Sequence, residues 1–147
     1  EPLTVHESSL SPCIHSILAA EIGRKDKAYE LYLRTSRLDL DNYNNDTDDG
    51  LHITSMAGTW MSIVHGFGGM RIKNGQLHLA PFIPECWEEY SFRLTFRGRI
   101  IKISVDKTGI TVLLEMGAPL DILLFGNRVH LDPETGYRRI NSADLSQ

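Results

Sequence analysis

Long apolar runs are missing from this sequence. The longest hold roughly four residues, against the ~20 that a membrane-spanning helix needs, so a helical membrane protein is excluded. Cysteine is scarce as well. Two residues, Cys13 and Cys86, do not make a disulfide-stapled scaffold, and no closely spaced cysteine pair supplies a zinc ribbon. An excess of basic charge is also lacking. The 15 basic residues are outnumbered by 19 acidic ones, and the net charge of −4 argues against a nucleic-acid surface. The first residues, Glu1-Pro2-Leu3-Thr4, have neither the basic region nor the apolar run of a secretory leader. There is no initiator Met, as expected of a processed or excised piece. For the two cysteines the expectation is reduced, buried thiols in a cytoplasmic protein.

What is present is ordinary globular material. Apolar residues make up 41% and charged residues 23% of 147, which excludes a disordered chain and suits one domain or two small ones. The hydrophobic period divides the chain. Ser11-Pro12 opens a helix in which Ile14, Ile17, Leu18 and Ile22 recur at helical spacing, and Gly23 ends it. Asp26 is the expected cap of a second helix, with Ala28, Leu31, Tyr32 and Thr35 on one face and Tyr29 and Leu33 on another. Such a two-faced helix packs on two sides, as in a large helical assembly. A polar loop is expected from Asp39 to Gly50. Thr54 or Ser55 then caps a third helix with an apolar stripe of Trp60, Ile63, Val64 and Phe67, stopped by Gly66, Gly68 and Gly69.

Near residue 70 the period changes from 3.6 to 2. Met70 and Ile72 alternate with Arg71 and Lys73, Asn74-Gly75 signals a hairpin, and Leu77 and Leu79 alternate beyond it. Further alternation follows at Phe92–Phe96, Ile101–Val105, Ile110–Leu114, Ile122–Leu124 and around Val129. The expected fold class is α+β, with helices over 1–70 and a small antiparallel β-sandwich over 71–147.

Chemistry is sparse. The six histidines are scattered without metal-ligand spacing. The acidic stretch Asp46–Gly50 fails as a calcium loop: with Gly50 at the sixth position, Met56 stands where a glutamate is required. A polar loop that shapes a site is the better reading. His52 stands between that loop and the start of the third helix. A helix start offers N–H donors and a positive dipole end, the small residues nearby admit an anion, and the imidazole adds a donor, so a phosphate or carboxylate pocket can form there. The plainer alternative is that Thr54 and Ser55 cap and His52 packs. The segment His6-Glu7-Ser8-Ser9, just before the first helix, repeats the theme with hydroxyls, N–H groups and a histidine. Its plainer alternative is capping by Ser9 or Ser11.

Three segments carry a resemblance when taken together: His6-Glu7-Ser8-Ser9-Leu10-Ser11-Pro12, Asp48-Asp49-Gly50-Leu51-His52 and Met56-Ala57-Gly58-Thr59-Trp60. They resemble the disaccharide phosphorylases of glycoside hydrolase family 65, and Leu77–Trp87 followed by Phe92-Arg93-Leu94 is similar to that family too. The resemblance implies that the helices close an (α/α)6 catalytic barrel and that the strands form the domain following it. It implies a piece of a larger enzyme whose general acid, a glutamate, lies upstream. The implied reaction is an inverting phosphorolysis, maltose plus phosphate giving β-glucose 1-phosphate plus glucose. Trehalose, kojibiose or nigerose are alternative substrates, and a non-catalytic sugar-binding β-sandwich is the alternative from another class. Ser8, Ser9 and His52 are the implied phosphate ligands, with His6, Thr54 and Ser55 as a second tier. The implied partners are the disaccharide, phosphate as a substrate, the remainder of the enzyme and a second copy in a homodimer. No metal or organic cofactor is implied.

Overall fold

The structure, a computed structural model, describes residues 11–42, 48, 50–134 and 137–141. The chain divides into two compact units, Glu1–Phe67 and Gly68–Gln147.

In the first unit, α1 (Ser11–Glu21), α2 (Lys25–Ser36), a short α3 (Leu38–Asp41) and α4 (Ile53–Met61) are followed by a π-helical turn, Ser62–Phe67. The packing of α1 departs from the expected stripe. Ile14, Leu18 and Ile22 are exposed, at 44%, 51% and 71%, while Cys13, Ser16 and Ala19 are buried. The reason is close approach. The Ser16 hydroxyl donates to the Ala28 carbonyl at 2.7 Å, which requires small side chains between α1 and α2. On α2 the expected face holds, with Ala28, Leu31 and Thr35 buried. Its cap does not: Arg24 precedes the helix without a side-chain bond, and Asp26 lies inside the first turn, where its charge suits the helix dipole.

The third expected stripe also breaks. Val64 and Phe67 are buried, but Trp60 is 52% exposed. The π turn holds more residues per turn than an α-helix, so the apolar phase shifts after Met61. Trp60 then meets His65, five residues on, edge to face at 6.1 Å. Among the described residues no helix is long and apolar enough to cross a membrane.

The second unit holds two four-stranded sheets. One runs β1 (Arg71–Lys73), β2 (Gln76–Leu79), β6 (Leu120–Leu124), β7 (Asn127–Leu131); the other runs β3 (Glu89–Phe96), β4 (Arg99–Asp106), β5 (Gly109–Met116), β8 (Tyr137–Asn141). Register follows the alternation. Phe92 pairs with Ile103, which pairs with Val112; Leu94 pairs with Ile101, which pairs with Leu114. All six are buried, as are Leu77, Leu79, Ile122, Leu124 and Leu131 in the other sheet. Asn74 and Gly75 take φ of 52° and 76°, the left-handed pair that a two-residue hairpin needs. Two expectations change. The sheets are not wholly antiparallel, because β2 runs parallel to β6. Cys86 is exposed rather than buried, although Cys13 is buried and both are free thiols.

Asp106 locks the β4–β5 turn. Its Oδ1 accepts from the N–H groups of Thr108 and Gly109 at 2.7 and 3.0 Å, and Arg139 of β8 donates to both carboxylate oxygens at 3.1 Å. The Thr108 bonds foremost, and then Arg139, hold this carboxyl down at about 2. A carboxyl depressed in the folded state stabilises above its unfolded value and loses that contribution as pH falls through its folded value. Asp106→Ala is therefore expected to lower the urea midpoint at neutral pH. The difference from the parent should fade between about pH 4 and pH 2. A difference that stays constant down to pH 2 would exclude an electrostatic origin.

Candidate functional site

The described part of the site is built around the start of α4. His52 is the residue before the helix, at φ −87° and ψ 83°, and makes no side-chain cap bond to the helix. Its carbonyl accepts from the N–H groups of Ser55 at 2.8 Å and Met56 at 3.3 Å. The helix thus begins at Ile53, ahead of the expected cap at Thr54 or Ser55. The acceptor that fixes this start comes from α3. Asp39 takes the His52 N–H, at 3.0 Å to Oδ2 and 3.2 Å to Oδ1, and its Oδ1 lies 2.6 Å from His52 Nδ1. A carboxylate only accepts, so Nδ1 carries the proton in this bond.

Both partners are half-buried, with side-chain exposures of 22% for His52 and 17% for Asp39. Foremost among the causes, the ring bond from His52 holds the Asp39 carboxyl below the ordinary carboxylate range. Asp39 is therefore an anion through the neutral range. Its own helix is held by Leu38, 2% exposed, and by the forked Arg37–Asp41 pair at 2.6 and 2.7 Å.

The structure distributes the expected site residues unevenly. Ser8, Ser9 and His6 lie outside the described residues. Thr54 is exposed in the first turn of α4. Ser55 is 3% exposed, and its N–H donates to the His52 carbonyl at 2.8 Å. Gly58 sits where the helices pack closely. A Cβ there would meet Cys13 Cβ at 2.9 Å, Cys13 Sγ at 3.1 Å and Thr35 Cγ2 at 3.2 Å. Its small size serves the crossing of α4 with α1 and α2. Asp39 is the residue that sequence reasoning placed only as the start of a polar loop. Its partner is 13 residues away, and no local pattern marks the pair. The apolar Leu51, Ile53 and Met56 beside His52 are exposed, at 74%, 74% and 51%.

Among the described residues no group of three or more His, Cys, Asp or Glu side chains could hold a metal ion. In the β unit Tyr90 spends its hydroxyl on the Phe82 carbonyl at 2.9 Å and packs against Trp87 and Phe92. Burial pushes the Tyr90 hydroxyl far above the ordinary phenol range, in keeping with a structural role.

Comparison with known proteins covers both units. Residues 1–61 match the glycosyl hydrolase family 65 central catalytic domain, and residues 70–131 match the C-terminal domain of the same family. Maltose phosphorylase of Bacillus subtilis is 56% identical over 131 residues, which are 89% of this chain and 17% of that protein. Alpha,alpha-trehalose phosphorylase of Geobacillus stearothermophilus is 52% identical over 131 residues, again 89% of this chain and 17% of that protein. A solved structure assigned as a kojibiose phosphorylase from human microbiome superposes with a TM-score of 0.85 at 41% identity, covering 94% of this chain and 18% of that one. The chain thus spans under a fifth of the length of these relatives. Two successive domain models of one family, matched in order along most of the sequence, place this chain in glycoside hydrolase family 65.

Proposed function

We propose that this chain is the carboxyl-terminal part of an inverting disaccharide phosphorylase, with maltose as the substrate, and that its helical unit supplies the phosphate-binding wall. The observation that carries the reading is the pattern of relatives. Proteins named for maltose, trehalose and kojibiose differ in the sugar and share the phosphorolytic step. The exposed Ile14, Leu18 and Ile22 of α1, and Ile53 and Met56 of α4, support a helical unit that the other helices of an (α/α)6 barrel cover. The cytoplasm suits such an enzyme, and a homodimer is its proposed assembly.

The chemistry fits a wall of donors. An inverting hydrolase uses one carboxylic acid to protonate the leaving oxygen and a second carboxylate to activate water on the opposite face. Phosphate is already an anionic nucleophile. It needs no base, and an unpaired carboxylate in that place would repel it. What it needs is to be held in line with the anomeric carbon, and orientation of that kind lowers a barrier by several kcal/mol, up to ~7–11 in the best cases. Ser8 and Ser9 supply hydroxyl and backbone donors, and His52 supplies its ring, with His6 and Thr54 in support. The general acid is a glutamate elsewhere in the longer protein.

The test uses the full-length enzyme. With maltose and inorganic phosphate it is expected to release β-glucose 1-phosphate and glucose, and without phosphate to release neither. His52→Ala is expected to raise the KM for phosphate about tenfold or more, with a much smaller change in the KM for maltose, as loss of a charged hydrogen bond to one substrate predicts. Phosphate-independent release of glucose, or equal shifts in both KM values, would overturn the reading.

A further inference from the structure

We propose that Asp39 is a positioning residue for phosphate: it fixes the His52 ring so that Nδ1 points to the carboxylate and Nε2 meets the phosphate with a proton on it. The inference rests on the reading of His52 as a phosphate ligand and adds what makes that ligand work.

Geometry sets the first half. The Asp39 carboxylate engages His52 at two places, the backbone N–H and Nδ1, so it fixes both the backbone at the head of α4 and the ring. A ring held through Nδ1 can reach an anion as a hydrogen-bond donor only through Nε2. Protonation sets the second half. A neutral imidazole with its proton on Nδ1 carries a lone pair at Nε2, and a lone pair facing a phosphate dianion is repulsive. The ring that donates to both anions is the imidazolium. A carboxylate 2.6 Å from Nδ1 places a negative charge beside that form. Asp39 also offsets the positive charge of the ring when phosphate is absent. The pair is screened from solvent on most of its surface, which makes the bond stronger than an exposed one.

A purely structural role would also place a carboxylate under the start of α4. The two roles separate in the full-length enzyme. Asp39→Asn retains the size and one acceptor oxygen while removing the charge. The expected result is a KM for phosphate raised roughly tenfold, a KM for maltose within about twofold of the parent, and little change in thermal midpoint. In a His52→Ala background the same substitution is expected to add no further increase in the KM for phosphate, because the ring it positions is gone. A lower midpoint with both KM values unchanged, or additive effects in the double variant, would overturn the inference.

A measurement without any Asp39 variant is available as well. Nitrogen NMR of the histidine-labelled enzyme saturated with inorganic phosphate is expected to show both His52 ring nitrogens protonated. A neutral His52 ring in the phosphate complex would also overturn it. If His52→Ala leaves the KM for phosphate unmoved, the reading of the pocket fails. If His52→Ala raises it and Asp39→Asn does not, Asp39 alone loses its role.

Discussion

Gly69→Val is expected to destabilise the β unit by about 3 kcal/mol or more, read as a lower urea midpoint in circular dichroism. Two effects add. Gly69 has φ of +58°, a conformation that costs a residue with a Cβ roughly 1–2 kcal/mol and a β-branched one more. The position is also closed sterically. A Cβ there would lie 2.5 Å from the Ala80 carbonyl oxygen, 2.8 Å from its carbon and 2.9 Å from the Ala80 nitrogen. These are backbone atoms, so no rotamer change relieves the overlap. Ala80 directly follows β2, and the Leu79 carbonyl accepts from Phe125 N–H at 2.9 Å. Moving Ala80 therefore pulls on Leu79, 1% exposed, and on its parallel pairing with Leu124. Gly69→Ala is expected to show a smaller loss of the same sign. An unchanged midpoint in Gly69→Val would mean that the end of β2 moves aside without cost.

The sequence placed Gly69 among the glycines that stop a helix, and nothing local shows that its missing side chain makes room for Ala80. The same division runs through the molecule. Features set by neighbours a few residues apart were legible. The Asn74-Gly75 hairpin follows from the φ that Gly and Asn tolerate, and the buried rows of β3, β4 and β5 follow from strict alternation. Features set across the chain were not. The parallel meeting of β2 and β6 joins residues more than 40 positions apart, and no periodicity records it. Strand β8 was missed because Tyr137-Arg138-Arg139-Ile140-Asn141 lacks an apolar alternation. The face of α1 was misread because side-chain size, not apolarity alone, decides which face approaches a neighbour most closely. In the site, His52 was legible as a histidine at a helix start. Asp39 was not legible as its partner, since the pairing depends on how α3 lies against the head of α4.

Gly58→Leu is expected to cost about 2–4 kcal/mol of stability and, in the full-length enzyme, to raise the KM for phosphate. The crossing has no slack. Cys13 is fully buried, and its Cβ, 2.9 Å from the added atom, is fixed to the α1 backbone. Thr35 is 2% exposed and its hydroxyl donates to the Leu31 carbonyl at 2.9 Å, which locks the rotamer that points Cγ2 at Gly58. A leucine must then push α4 away from α1 and α2. The head of α4 carries His52, whereas Asp39 stands on α3, which follows α2 after one residue. Separation of the helices thus lengthens the 2.6 Å bond that orients the ring. Gly58→Ala poses a finer balance. Alanine favours a helix over glycine by up to ~1 kcal/mol, but the 2.9 Å contact is with a Cβ that cannot swing away, so α1 or α4 must shift. The decisive comparison adds Cys13→Gly, which removes the nearest opposing atom. In that background Gly58→Ala is expected to be less unfavourable than in the parent, with the 3.2 Å contact to Thr35 Cγ2 remaining, giving a favourable coupling measured by a double-mutant cycle. Additive effects of the two substitutions would show that the crossing is looser than the distances imply.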